Sequence, residues 1–152
     1  MTYYKNNNDF ILYYSDTDSA FTNKPLKNEL IGNELGKMKL ENICKKVIFL
    51  SPKTYCLLTE NNKFIYKVKG LKSEVKLTLN DFKNLLIKDS SLQKSQIKWR
   101  RSLTNAQIAL INEIYTLKVN DNKRKLIYNK NNKLIGTISY KIDNNKTIIN
   151  ND

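Results

Sequence analysis

At 152 residues, 40% hydrophobic and 27% charged, the chain has enough material for one modest core, with or without an appendage. It contains no histidine, which excludes Ser-His catalysis, histidine-based zinc sites and imidazole acid–base chemistry. The net charge of +13 points to a polyanionic partner, nucleic acid before a membrane surface, with a merely solvated lysine surface as the plainer alternative.

In chain order, Phe10-Ile11-Leu12-Tyr13-Tyr14 is apolar and aromatic strand material. It runs into Ser15-Asp16-Thr17-Asp18-Ser19 and resumes as Ala20-Phe21-Thr22, so two strands are predicted to meet at an acidic turn. Residues 23–32 hold Pro25 and Gly32 and read as a loop with at most a short helical turn. Val47-Ile48-Phe49-Leu50 is a strand stopped by Pro52. Residues 54–58 and 64–68 flank the turn Glu60-Asn61-Asn62-Lys63. Asn80 is a candidate cap for a helix over residues 80–88, with Phe82, Leu85 and Leu86 at helical spacing. Strand patterns follow at 97–103, 107–117, 125–128 and 134–140, and the last ten residues are polar enough to fray. The predicted class is α+β with strands in the majority and one or two helices.

No run nears the roughly 20 apolar residues of a spanning helix, and the N-terminus resembles neither a signal nor a transit peptide. The expectation is a protein without a membrane partner, made where it works. Cys44 and Cys56 sit among apolar neighbours and read as small buried side chains of a reducing compartment. Arg100, Arg101 and Arg124 are the only arginines, and the abundance of Lys, Asn, Ile and Tyr fits an AT-rich genome.

Charge is unevenly spread. Lys5 against Asp9, Asp16 and Asp18 leaves residues 1–22 at −2, so the rest of the chain carries +15. Such a pattern suits cations held at one spot and phosphates held around it. Alternate strand residues share a face, so Asp16 and Asp18 can point the same way, with Thr17 turned away to pack on the sheet. Two close carboxylates favour a cation between them, and Mg²⁺ takes one or two carboxylates plus substrate phosphates. An exposed turn without chemistry is the ordinary alternative for a bare D-x-D.

The string Tyr14-Ser15-Asp16-Thr17-Asp18-Ser19 between apolar strands is more specific. It resembles motif C of family B DNA polymerases, in particular the protein-primed branch of fungal mitochondrial plasmids and some phages. The resemblance implies a palm-domain hairpin, with Asp18 a ligand of catalytic Mg²⁺ or Mn²⁺ and Asp16 supporting it. Downstream, Leu35-Gly36-Lys37-Met38-Lys39-Leu40-Glu41 is similar to the family's stretch after motif C. Lys53-Thr54-Tyr55 matches its K-x-Y motif, which implies that Lys53 and Tyr55 hold the primer end. Lys67-Val68-Lys69-Gly70 resembles the K-x-K-G segment, with Lys67 and Lys69 on the primer–template. Trp99-Arg100-Arg101-Ser102 and Asn122-Lys123-Arg124 look like thumb segments, placing Lys123 and Arg124 on DNA. By this resemblance residues 1–60 are the end of a palm with its antiparallel hairpin, 61–143 a basic β-rich thumb, and 144–152 a frayed tail.

The family's other essential Asp lies in a D-x-x-S-L-Y-P motif, and its incoming-nucleotide motif is K-x-x-x-N-S-x-Y-G. Neither string, nor a D-x-E proofreading motif, is found in this sequence. The resemblance therefore implies the C-terminal piece of a polymerase, as a split or truncated reading frame or a decayed remnant. Such a piece is expected to be inactive alone and to bind primer–template DNA and deoxynucleoside triphosphates, with a separate chain able to carry the missing motifs. It further implies the mitochondrial matrix as location, the cytoplasm being the alternative. Two other readings stand beside it. One is a non-enzymatic basic DNA-binding module or expressed remnant. The other is a D-x-D glycosyltransferase using Mn²⁺, which gives no reason for the basic body.

Overall fold

The computed structural model describes residues 10–119, 124–142 and 148–149. Among these the strand patterns form antiparallel hairpins and one meander, the mostly-strand α+β class expected. β1 (Leu12–Asp16) pairs with β2 (Ser19–Thr22), and β3 (Cys44–Ser51), β4 (Thr54–Thr59) and β5 (Phe64–Val68) make a three-stranded sheet. β6 (Ser91–Ser102) pairs with β7 (Gln107–Lys118), β8 (Arg124–Tyr128) with β9 (Leu134–Ser139), and β10 (Lys141–Ile142) with β11 (Ile148–Ile149). Residues 28–30 form a turn of 3-10 helix, and α1 (Leu79–Asn84) lies between β5 and β6.

The meander organises everything else because both its faces are used. Directly paired residues share a face, so the register Ile48↔Cys56↔Tyr66 defines one side and Phe49↔Tyr55↔Lys67 the other. On the first side Ile48, Leu50 and Cys56 meet Leu77, Phe82 and Leu85 of the α1 region and Leu117 at the base of β7. Burial drives the Cys56 thiol up to about 12, so it is an inert core group, while Cys44 is half-buried. On the second side the β1–β2 hairpin lays Tyr14 and Phe21 over Phe49 and Tyr55, with ring centroids 5.0–6.1 Å apart. The sheet runs across residue 60, so β5, beyond the expected palm boundary, pairs directly with β4 before it.

The helix differs from its predicted form. Thr78, not Asn80, is the cap: its hydroxyl accepts from the Asp81 N–H at 3.2 Å, and the Asp81 carboxylate accepts from the Thr78 N–H at 2.7 Å. The reciprocal pair moves the start forward. The end also comes before residue 88, because the Leu86 carbonyl accepts from Leu134 N–H at 2.7 Å and Lys88 N–H donates to Asn132. Backbone that another helical turn would use is taken by the β8–β9 connection.

The long hairpin is anchored at its base through polar contacts. Gln96, 4% exposed, donates to the Gly70 carbonyl at 3.1 Å and to the Glu113 carboxylate, while its own oxygen accepts from Lys72 N–H at 3.0 Å. Tyr115 donates from its hydroxyl to the Lys69 carbonyl at 2.6 Å. Gly70 has φ +84°, a conformation that strains any side chain, and a Cβ there would come within 3.3 Å of the Tyr115 ring, which would have to give way. These anchors explain why β6 begins at Ser91, ahead of the apolar pattern that predicted a start at 97. Leu92 and Gln96 face inward, and the polar residues between them simply follow the ladder. Within the tail expected to fray, Ile148–Ile149 pair with Lys141–Ile142; residues 143–147 and 150–152 lie outside the described set.

Candidate functional site

The acidic turn is a two-residue connection. Asp16 pairs with Ser19, leaving Thr17 and Asp18 at the tip, with Thr17 at φ 51°. Asp18 therefore does not share a strand face with Asp16 as alternation had predicted. Thr17 is exposed and donates to Asp16 Oδ1 at 3.3 Å instead of packing on the sheet. Ser19 ties the turn down by donating from its hydroxyl to the Asp16 carbonyl at 3.0 Å.

Asp16 is held from across the fold. Lys53 sits at φ 60° in the β3–β4 turn, which aims its side chain at β1, and its ammonium meets both Asp16 oxygens at 2.9 and 2.7 Å. The Lys53 N–H also donates to the Tyr14 hydroxyl at 2.9 Å. Tyr14 and Asp16 are two residues apart on β1 and so address the same turn together. Tyr14 is the member of this contact that motif reading did not single out, and this spacing was the available signal.

The electrostatics follow the geometry. The Lys53 hydrogen bond holds the Asp16 carboxyl below the usual aspartate range, outweighing its partial desolvation, and the same bond raises Lys53. Asp16 thus stabilises the latch above its unfolded value of 3.8 and loses that contribution as pH falls through its lowered folded value. Lys53 contributes below 10.5 and loses its share as pH rises through its raised folded value. The β1–β2 hairpin is expected to stay latched between these limits and to loosen only on strong acidification or alkalinisation. Chemical shifts of the Asp16 carboxyl carbon and the Lys53 Nζ, followed against pH, check this.

Around the turn lies a cleft of about 1760 Å³. Lys24, Lys37, Lys39, Lys45, Lys46, Lys53, Lys67, Lys69 and Lys72 line it against Asp16, Asp18 and Glu41, so it is strongly positive with one acidic spot. Of the residues singled out in the sequence, Asp16, Asp18, Lys53, Tyr55, Lys67 and Lys69 are brought together here. Tyr55 is committed to the aromatic cluster, which leaves only its cleft-lining edge for a ligand. Burial, first of all, raises its hydroxyl, with Tyr14, Asp16 and Glu41 adding to the effect. Arg124 is elsewhere, on β8, donating to the Thr137 hydroxyl at 2.7 Å and carbonyl at 3.1 Å. Lys123 lies outside the described residues.

The donor set suits a hard cation only as half a site. Among the described residues no group of three or more His, Cys, Asp or Glu could hold a metal. Asp16 has both oxygens on Lys53, and Asp18 stands exposed at the tip. One or two carboxylates is the number Mg²⁺ takes when phosphate oxygens and water complete its shell. Among the described residues no helix is long and apolar enough to cross a membrane.

This chain resembles a short stretch of much longer proteins. It is 32% identical over 144 residues to a protein named probable DNA polymerase from Ascobolus immersus, covering 91% of this chain and 12% of that one. A protein of the same name from Podospora anserina is 32% identical over 144 residues, covering 88% of this chain. One from Neurospora intermedia is 37% identical over 115 residues, covering 74% of this chain. The chain thus spans 12% of the length of each of these curated relatives. No family model and no solved structure matches it.

Proposed function

We propose that the chain is a fragment of a family B DNA-directed DNA polymerase, its motif C hairpin followed by thumb, working on primer–template DNA and deoxynucleoside triphosphates. The observation that carries this reading is the latch between Asp16 and Lys53. Two short motifs 37 residues apart in sequence close on one another in a lysine-lined cleft. The similarity to proteins named probable DNA polymerase supports the same reading.

In this reading Asp18 is the open carboxylate for Mg²⁺ or Mn²⁺, with Asp16 kept ionised beside it by Lys53. A cation bound there would supply charge to offset phosphate oxygens on the nucleotide. Lys53, Lys67 and Lys69 hold the primer backbone as point charges, and Tyr55 presents its edge to the primer end. Lys53 has two duties, since the ammonium that meets a phosphate is the one that fixes the hairpin. Lys123 and Arg124 would contact DNA farther along the thumb. Two carboxylates are too few for a two-cation cage, so the chain alone does not extend a primer, and a separate polypeptide supplies the rest. The mitochondrial matrix is the location that goes with this reading. A binding module without chemistry is the second reading, favoured by the finding that no three His, Cys, Asp or Glu among the described residues are grouped to hold a metal.

The test is Mn²⁺ affinity in the presence of primer–template and a nucleotide. Loss of an outer-sphere partner lowers metal affinity about 10- to 100-fold, so Asp18→Ala is expected to cost at least that much. Equal Mn²⁺ affinity in the wild type and Asp18→Ala supports the binding module instead. Primer extension by the pure chain, lost in Asp18→Ala, contradicts the half-site.

A further inference from the structure

The β6–β7 hairpin has two unlike faces, because directly paired residues share a face and successive residues alternate between faces. The inner face sinks Leu92, Gln96 and Leu117 into the body. Lys94, Lys98, Arg100 and Glu113 fall on that same face, where Glu113 pairs with Lys98 and accepts from Gln96. The outer face is apolar over the half nearer the tip. Ile97, Trp99, Ile108, Leu110 and Ile114 lie there, each between 57% and 69% exposed, so nothing among the described residues covers them. An uncovered apolar patch of this kind calls for an occupant.

Charge narrows the choice. The only charged side chains on the outer face are Arg101 near the tip and Lys118 at the base, at opposite ends of the ribbon. An acidic polymer finds no row of cations to follow, and a basic one finds no counter-charge. What the patch can bury is another uncharged apolar face, and a second copy of this chain carries one. Size agrees with this. At the exposures given, the five side chains present roughly 600 Å² of surface on each copy. Two copies laid face to face would bury on the order of 1,200 Å², the lower end of the range for specific interfaces. Trp99 pairs with Leu110 in the middle of the patch, where a large ring contributes most to binding. None of these residues lines the cleft, and the inner-face cations point away from the contact. Repulsion between two chains of +13 therefore acts at a distance, where salt screens it.

We infer that the outer face of the β6–β7 hairpin is a self-association surface on which a second copy of this chain docks, with Trp99 and Leu110 at its centre. The inference does not depend on the acidic turn, on a divalent cation or on DNA.

The full chain, nuclease-treated and free of DNA, is followed by sedimentation velocity from about 1 to 200 µM, since a Kd on the order of micromolar suits a contact of this size. The mass is expected to rise from 17.8 kDa towards twice that value. Apolar contact between like-charged chains predicts tighter association at about 0.5 M than at about 0.05 M salt, the opposite of a nucleic-acid complex. Trp99 is the one tryptophan of the chain, so its emission should shift to the blue as the pair forms. Leu110→Asp and Trp99→Ala, both at exposed positions, are each expected to weaken association about 30-fold or more. Arg100→Gln, beside Trp99 but on the inner face, should leave association in place. A single 17.8 kDa species throughout at the higher salt overturns the inference. So does association that both apolar substitutions leave intact, which would put the contact elsewhere on the chain. Loss of the larger species on further nuclease treatment would mark nucleic acid as the bridge. A monomer whose emission shifts only on anionic phosphatidylglycerol vesicles would mark a lipid surface as the occupant. Either result contradicts docking of a second copy. Because no metal or DNA enters the measurement, its failure is distinct from failure of the Asp18 reading.

Discussion

Phe82→Ala is expected to remove about 3–5 kcal/mol of stability, the cost of truncating a buried phenylalanine whose neighbours only partly close the void. Phe82 is fully buried, with its ring 6.3 Å from both Phe64 and Tyr66. It is the side chain by which a six-residue helix is fastened to the meander. A helix so short has little stability of its own, so its docking is tertiary in origin. Single domains have about 5–15 kcal/mol in total, so the variant should be largely unfolded under mild denaturant. Urea unfolding followed by far-UV circular dichroism measures it. A loss under about 1 kcal/mol would mean that the helix and the sheet do not share one core. Trp99→Phe, on an exposed face, provides the contrasting substitution with little effect on stability.

Binding of primer–template DNA is expected to fall about 1000-fold between 50 and 200 mM salt if the cleft engages roughly six phosphates. Its lysines are spread over the 37–46 segment, the β3–β4 turn and the end of β5, so a backbone can be tracked across elements instead of touched at one point. Each phosphate neutralised releases counterions, and Lys67→Gln should lower the slope of log affinity against log salt by about one. Lys53→Gln should do more, since it also frees Asp16 and adds an unpaired negative charge to the cleft. Fluorescence anisotropy across a salt series is the measurement. A shallow slope that Lys67→Gln leaves unchanged marks these lysines as ordinary solvated charges.

Much of this architecture was legible in the sequence because period-two patterning and turn chemistry are local. The runs around Phe49, Tyr55 and Tyr66 became the meander, and Glu60 to Lys63 became its turn. Helix bounds were less legible. Asn80 is a plausible cap by composition, but Thr78 and Asp81 make the reciprocal pair, and the helix end depends on residues 132–134, which no local window contains. The first half of β6 was missed because its anchors, Gln96 and Lys72, are polar and distant in sequence. At the acidic turn, the two-strand hairpin was legible in the string and the geometry of its carboxylates was not. Asp16 and Asp18 look equivalent in the string, yet one ends a strand on Lys53 and the other stands at the tip. Trp99 is another case: an aromatic ring in a strand is ordinarily core, and only pairing in an uncovered hairpin exposes it.

In the proposed function the acidic turn and the cleft lysines act on one nucleic acid together. Amide NMR of the full chain with primer–template, before and after adding Mn²⁺, tests it most directly. DNA is expected to shift the Lys53, Tyr55, Lys67 and Lys69 resonances. Mn²⁺ should then broaden Thr17, Asp18 and Ser19 when DNA and a nucleotide are present, and fail to do so in Asp18→Ala. DNA shifts confined to other surfaces, or Mn²⁺ broadening that Asp18→Ala leaves in place, would contradict it.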